Sequence, residues 1–141
     1  MPEKGRVLGL DLGDVRIGVA ISGPDRKVAV PLGTVHTGAP ADLKAIARIV
    51  QESEVTLVVV GNPLRMSGET GTRARHAEEF ASALRQFLSV PVVLHDERLS
   101  TAEAERALKE AGAGRRERRR AVDRSAAAVI LQSYLDALPR G

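Results

Sequence analysis

The chain has 141 residues, 21 Lys and Arg against 18 Asp and Glu for a net charge of +3, and no cysteine. That length suits one domain spanning residues 1–141 with a core of useful size; no apolar run reaches a membrane span, and the first six residues, MPEKGR, lack a signal peptide's apolar stretch, so a cytoplasmic protein is expected. Having no cysteine excludes disulfides and thiolate metal sites, so any metal must be held by oxygen or imidazole.

In chain order, Val7 to Asp11, Arg16 to Ser22 and Lys27 to Val35 read as three strands joined by short turns, the second turn being Gly23-Pro24-Asp25. The first strand ends in a carboxylate, Asp11, which is costly to bury unless a cation compensates it. Gly9 and Gly13 flank it without side chains, an arrangement that lets a charged ligand approach the backbone, and Gly13-Asp14 also makes a turn. An ordinary hairpin with a solvated Asp at its mouth is the plainer alternative.

The period then changes. Leu43, Ile46, Ala47, Ile49 and Val50 fall at helical spacing, and the run Val55 to Val60 reads as a strand covered on both faces, stopped by Gly61-Asn62-Pro63. Ala74, Ala77, Phe80, Ala81, Leu84, Phe87 and Leu88 mark a second helix, followed by a short strand from Val90 to His95. Ser100-Thr101-Ala102-Glu103 has the form of a capping box opening a third helix that stops at Gly112. A last helix is expected from about Ala121 to Ala137, burying Val122, Ala126, Val129, Ile130, Ser133, Tyr134 and Ala137. With Phe80, Phe87 and Tyr134 as the sole aromatics, the core must be Val, Leu, Ile and Ala, and base stacking on an aromatic platform is not expected.

This order gives an α/β fold: a mixed five-stranded sheet, three antiparallel strands and then parallel ones, flanked by helices. The carboxyl ends of the parallel strands are the usual site edge of such a sheet. Asp11 ends the first strand, His95-Asp96-Glu97-Arg98 follows the last, and Asp123 in the first turn of the final helix closes a triangle of acids if these ends are neighbours. Converging carboxylates repel one another, and a divalent cation is the common way to stabilise them. Taken singly, Glu97 is also a surface acid paired with Arg98, and Asp123 is also a helix cap.

The positive charge is concentrated. Arg115, Arg116, Arg118, Arg119, Arg120 and Arg124 crowd one short stretch, and arginine suits forked hydrogen bonding to phosphate oxygens, although such a run is also compatible with a solvated loop. Arg16 and Arg98 sit in or beside the acidic motifs and are candidates for orienting a phosphate backbone; Arg65 and Arg73 are better read as surface residues. No histidine pair has metal-ligand spacing, which leaves His95, at a strand end, as the one histidine suited to supporting a ligand or moving a proton.

Four motifs, in order, are similar to those of the YqgF/RuvX family, the Holliday junction resolvase or pre-16S rRNA nuclease group of the ribonuclease H-like superfamily. They are Gly9-Leu10-Asp11-Leu12-Gly13 with Arg16-Ile17-Gly18-Val19-Ala20, Gly61-Asn62-Pro63-Leu64 with Gly68 and Gly71, Asp96-Glu97-Arg98-Leu99-Ser100-Thr101, and Asp123-Arg124-Ser125-Ala126-Ala127. The resemblance implies a ribonuclease H-like fold and a metal-dependent nuclease in which Asp11, Glu97 and Asp123 are the catalytic carboxylates holding Mg²⁺ or Mn²⁺, and nucleic acid is bound by Arg16, Arg98, Arg115, Arg116, Arg118, Arg119, Arg120 and Arg124. The implied substrate is RNA, most specifically the 5′ end of pre-16S rRNA during ribosome biogenesis, with the DNA four-way junction of a resolvase, and hence a homodimer, as the family's other activity. Related resolvases often use four acids where three are placed here, so one ion or two are compatible with the motif set. Outside the family, an Asp-x-Gly strand turn also opens sugar-kinase-like ATPases, which need two domains, and the Arg cluster alone would serve a non-catalytic nucleic-acid adaptor.

Overall fold

In a computed structural model, residues 5–62, 72–96 and 125–139 are described. The expected helix from Ser100 to Gly112 lies outside them. Strand β1 (Arg6–Leu12) pairs antiparallel with β2 (Arg16–Ser22), which pairs antiparallel with β3 (Ala29–His36). On the other side β1 pairs parallel with β4 (Val55–Asn62), which pairs parallel with β5 (Val92–Asp96), giving the order β3-β2-β1-β4-β5. This is the mixed five-stranded sheet expected from the change in hydrophobic period.

Helices α1 (Ala41–Glu52) and α2 (Thr72–Phe87) cover one face of the sheet, and α3 (Ala126–Asp136) covers the other. Leu8 and Leu10 of β1, Val58 and Val60 of β4, and Leu43, Ile46, Phe80 and Leu84 of the helices make the first core layer. Val7, Val59, Ala127, Ile130, Leu131 and Leu135 make the second. The two-residue period of each strand thus sends alternate aliphatic side chains into different layers, which is why the β4 sequence is a continuous apolar run.

The loops are tied by short polar links. Pro40 cannot cap α1 with its side chain, and the buried Asp42 serves instead: its carboxylate accepts from the Gly38 and Leu43 amides at 2.9 and 2.7 Å, while its own amide donates to Gly38 O at 3.0 Å. A carboxylate in a first helical turn also complements the helix dipole. At the far end of α2, Arg85 forks onto Val92 O at 2.8 and 3.2 Å and so fixes the start of β5.

Two expectations for the last helix need correction. It begins at Ala126, not Ala121: Ser125 is extended (φ −164°, ψ 101°) and its hydroxyl accepts from the Ala128 amide at 3.0 Å, which is an N-cap. Its buried face keeps the expected Ile130 and Ser133 but is otherwise turned, to Ala127, Leu131 and Leu135, with Ala126 and Ala137 exposed, Val129 and Tyr134 half-buried, and Val122 outside the described residues. The reason is steric: α3 rests on Gly9 and Gly18, and seating Leu131 and Ala127 over them sets its rotation.

Candidate functional site

The carboxyl ends of β1, β4 and β5 lie side by side. Leu10 is level with Val60, and on the next pair of strands Gly61 is level with His95 and Asn62 with Asp96. Asp11 stands at this edge, half-buried, in register with Gly18 of β2. It is on the α3 side of the sheet: a Cβ placed on Gly18 would lie 3.7 Å from the Asp11 Cβ and 3.5 Å from the Ala127 Cβ. Gly18 therefore lies in close packing with the base of the Asp11 side chain, at the foot of α3. Arg16, exposed at the first position of β2, shares that face with Gly18 by the strand period.

Of the glycines around Asp11, Gly9 does different work from that expected, and Gly13 makes the expected turn. A Cβ on Gly9 would approach the Leu131 Cβ to 2.7 Å, so Gly9 admits α3 rather than a ligand. A Cβ on Gly13 would meet Arg16 O at 2.5 Å, so that glycine serves the tight β1–β2 turn. Thr37 holds the same turn in place, its hydroxyl donating to Gly13 O at 2.8 Å and its amide to Val15 O at 2.9 Å.

His95 also faces α3. Its Nε2 and the Ser133 hydroxyl are hydrogen-bonded at 3.0 Å, and its ring meets that of Tyr134 edge to face, with centroids 5.6 Å apart and planes at 89°. Asn62, at the end of β4, keeps its Oδ1 buried with no hydrogen-bond partner. A buried amide oxygen without a donor is costly and is usually a sign of a group that completes it, such as a water or a cation. Asn62 and Ser133 were not picked out as functional residues from the sequence, where Asn62 reads as part of a strand stop and Ser133 as helix filling; an Asn directly before a proline at the end of a strand was the one available signal.

Of the expected site residues, Asp11 and Arg16 are found at one edge on one face. Glu97, Arg98, Arg115, Arg116, Arg118, Arg119, Arg120, Asp123 and Arg124 lie outside the described residues, as does Arg65. The alternative role of Asp123 as a helix cap is taken by Ser125. Among the described residues no three acid or imidazole groups converge tightly enough to hold a metal ion. The Asp11 carboxylate is an oxygen donor of the kind a hard divalent cation takes, whereas Asn62, two residues after Val60, falls by the strand period on the α1 and α2 side of the sheet, away from Asp11.

Comparison with known proteins agrees with this architecture. A protein from Anaeromyxobacter sp. (strain Fw109-5) named "Putative pre-16S rRNA nuclease" is 52% identical over 132 residues, which are 93% of this chain and 96% of that protein. One of the same name from Geobacillus kaustophilus (strain HTA426) is 48% identical over 134 residues, again 93% of this chain and 97% of that protein. Among solved structures, the yeast mitochondrial Holliday junction resolvase Ydc2 superposes with a TM-score of 0.52 at 8% identity, over 92% of this chain and 77% of that one, a likeness of fold. The family profile described as "RuvX: Holliday junction resolvase" matches residues 5–137, and the chain accordingly belongs to the RuvX family, with the mixed sheet of the ribonuclease H-like fold.

Proposed function

We propose that this protein is a divalent-metal-dependent nuclease that hydrolyses phosphodiester bonds of RNA in the cytoplasm, trimming the 5′ end of pre-16S rRNA. The observation that carries this reading is the position of Asp11, a half-buried carboxylate at the carboxyl edge of the parallel strands, on the face where α3 meets the sheet. The name borne by relatives near 50% identity supplies the substrate class.

In this reading Asp11, Glu97 and Asp123 together hold Mg²⁺ or Mn²⁺. Glu97 follows Asp96, the last residue of β5, and Asp123 precedes the α3 cap by two residues, so each is close in sequence to an element of the fold that carries Asp11. When bound, the ion supplies activation of water and stabilisation of charge on the phosphate. Three carboxylates offer the negative charge that binds the ion and orients it, and their mutual repulsion is what the ion relieves. Arg16 and Arg98 contact the phosphodiester backbone beside the acids, and the run Arg115, Arg116, Arg118, Arg119, Arg120 and Arg124 holds the flanking strand.

The family description favours a second reading, resolution of a DNA four-way junction, which needs two sites related by symmetry and so a homodimer. A cleavage panel separates the two: a ribosomal RNA precursor, a single-stranded RNA and a four-way DNA junction, each with Mg²⁺, Mn²⁺ or chelator. Metal-dependent cleavage of the RNA precursor at its 5′ side is the expected result. Cleavage restricted to the junction replaces it with the resolvase reading, and nucleic-acid binding without cleavage of any substrate replaces both with an adaptor.

A further inference from the structure

We propose that a cavity on the α1 and α2 side of the carboxyl edge holds one unpaired base of the RNA, a guanine, while a neighbouring phosphate lies at Asp11; this rests on the nuclease reading above. The cavity has a volume of about 300 Å³ and lies between the β1–β2 turn, the start of α1 and the middle of α2. Leu12, Ile17, Leu43 and Phe80 give it an apolar wall. Leu12 follows Asp11 directly, so their Cα atoms are about 3.8 Å apart and their side chains leave opposite faces of the sheet. A strand of RNA with a phosphate at the acid therefore runs past the cavity. The walls are held before any ligand arrives: Thr37 ties the β1–β2 turn through Gly13 O and Val15 O, and the Asp42 carboxylate ties the Gly38 loop. Filling the cavity thus costs little ordering of the protein.

The chemistry of the lining selects the occupant. Its ionisable members are Asp42, His76 and Glu79, and no Lys or Arg is among its described residues. Two carboxylates without a fixed cation repel a phosphate, so the backbone stays outside and a base enters. A volume of about 300 Å³ is at the lower end for ligand cavities and suits one heterocycle. Asp42 is 3% exposed, and its oxygens accept one amide hydrogen each, from Gly38 and Leu43, so lone pairs are left over in a wall that is otherwise mostly aliphatic. Glu79 is exposed at the rim, next to Phe80 on α2. Such acceptors call for a donor edge. Guanine has two donors side by side, N1–H and the N2 amine, which match the fork of the Glu79 carboxylate. Uracil has one donor between two carbonyl oxygens, and those would face the carboxylates. The base must be unpaired, because a paired base has its edge engaged and its faces stacked.

The test measures binding in the presence of chelator, by fluorescence anisotropy of short labelled single-stranded RNAs: all uridine, the same with one central guanosine, and the same with one central inosine, which lacks the N2 amine. Cleavage of the ribosomal RNA precursor with Mn²⁺ is read separately. The guanosine oligomer should bind about tenfold more tightly than the uridine one, the size of a good forked pairing to a base, with inosine between them. Glu79→Gln keeps the shape of the rim and should remove most of that preference while leaving uridine binding unchanged. Ala83→Leu, which puts a larger side chain on the lining, should do the same by filling the cavity. Circular dichroism melting shows whether Ala83→Leu is folded, and the exposed Glu79→Gln decides the point alone if it is not. Metal-dependent cleavage together with equal binding of the guanosine and uridine oligomers overturns the base site and leaves the nuclease reading standing. A guanosine preference that survives Glu79→Gln and a folded Ala83→Leu puts the base elsewhere and overturns the role of this cavity. A preference lost in Glu79→Gln, in a protein that cleaves no RNA, supports the base site and overturns the nuclease reading.

Discussion

Asp11 and Gly18 face one another across the β1–β2 pair, where a Cβ on the glycine would stand 3.7 Å from the Asp11 Cβ and 3.5 Å from that of Ala127 as α3 comes down onto the sheet. Asp11→Asn keeps the shape and removes the charge. Cleavage is expected to fall by at least about 10³-fold, as when one member of a catalytic unit is deleted, while nucleic-acid affinity is held. The metal-free melting temperature should hold or rise, because repulsion among acids is relieved. Undiminished single-turnover cleavage by this variant would remove Asp11 from the site.

The glycines of β1 and β2 separate packing from chemistry. Gly9→Ala drives a methyl to 2.7 Å from the Leu131 Cβ and within 3.3 Å of Ala127 O, so α3 must shift; the expected loss is about 1–3 kcal/mol of stability, the usual cost of overfilling a packed layer. Gly18→Ala finds ordinary packing distances of 3.5 and 3.7 Å, so denaturant unfolding should show little change. Its added methyl does stand beside Asp11, so metal affinity should weaken although the fold is intact. Equal stability losses in the two variants would contradict this account.

Much of this arrangement is legible in the residues themselves. Arg16 to Ser22 is bounded by turn residues and contains clean alternation, so its limits read correctly; the run from Val55 is apolar on both faces because both layers bury it. The last helix reads poorly for an equally physical reason. Ala126, Ala127 and Ala128 give no amphipathic direction, and nothing local distinguishes Ser125 as a cap when Ala121 and Val122 before it also fit a helical pattern. Gly9 could not be told from a ligand-access glycine without knowing that Leu131, far away in sequence, lies on it. The Asn62 amide and the His95–Ser133 bond arise from register between β4, β5 and α3, which no local pattern encodes.

Glu97→Gln and Asp123→Asn should each damage cleavage nearly as much as Asp11→Asn, and pairing either with Asp11→Asn should add little. Groups that build one metal site act as a unit, so the second substitution removes little that remains. Since Ser125 caps α3, Asp123→Asn is not expected to lower the melting temperature through helix fraying. Near-normal rates for Asp123→Asn at saturating metal would take that residue out of the ligand set.

Binding and chemistry should separate at the arginine run. Replacing Arg115, Arg116, Arg118, Arg119 and Arg120 together by Ser is expected to weaken binding of single-stranded RNA and flatten its dependence on salt, by about 0.7 in the log–log slope for each phosphate no longer neutralised. A phosphate without its arginine keeps the condensed counterions that binding would otherwise release. Cleavage of substrate already bound, measured in a single turnover at saturating protein, should change far less, because none of these side chains belongs to the acid set. Titrations at several salt concentrations decide the point. An unchanged slope would make the run a solvated loop and move the binding face to the neighbourhood of Arg16, whose exposed position on the Asp11 face makes Arg16→Ser the next variant to measure.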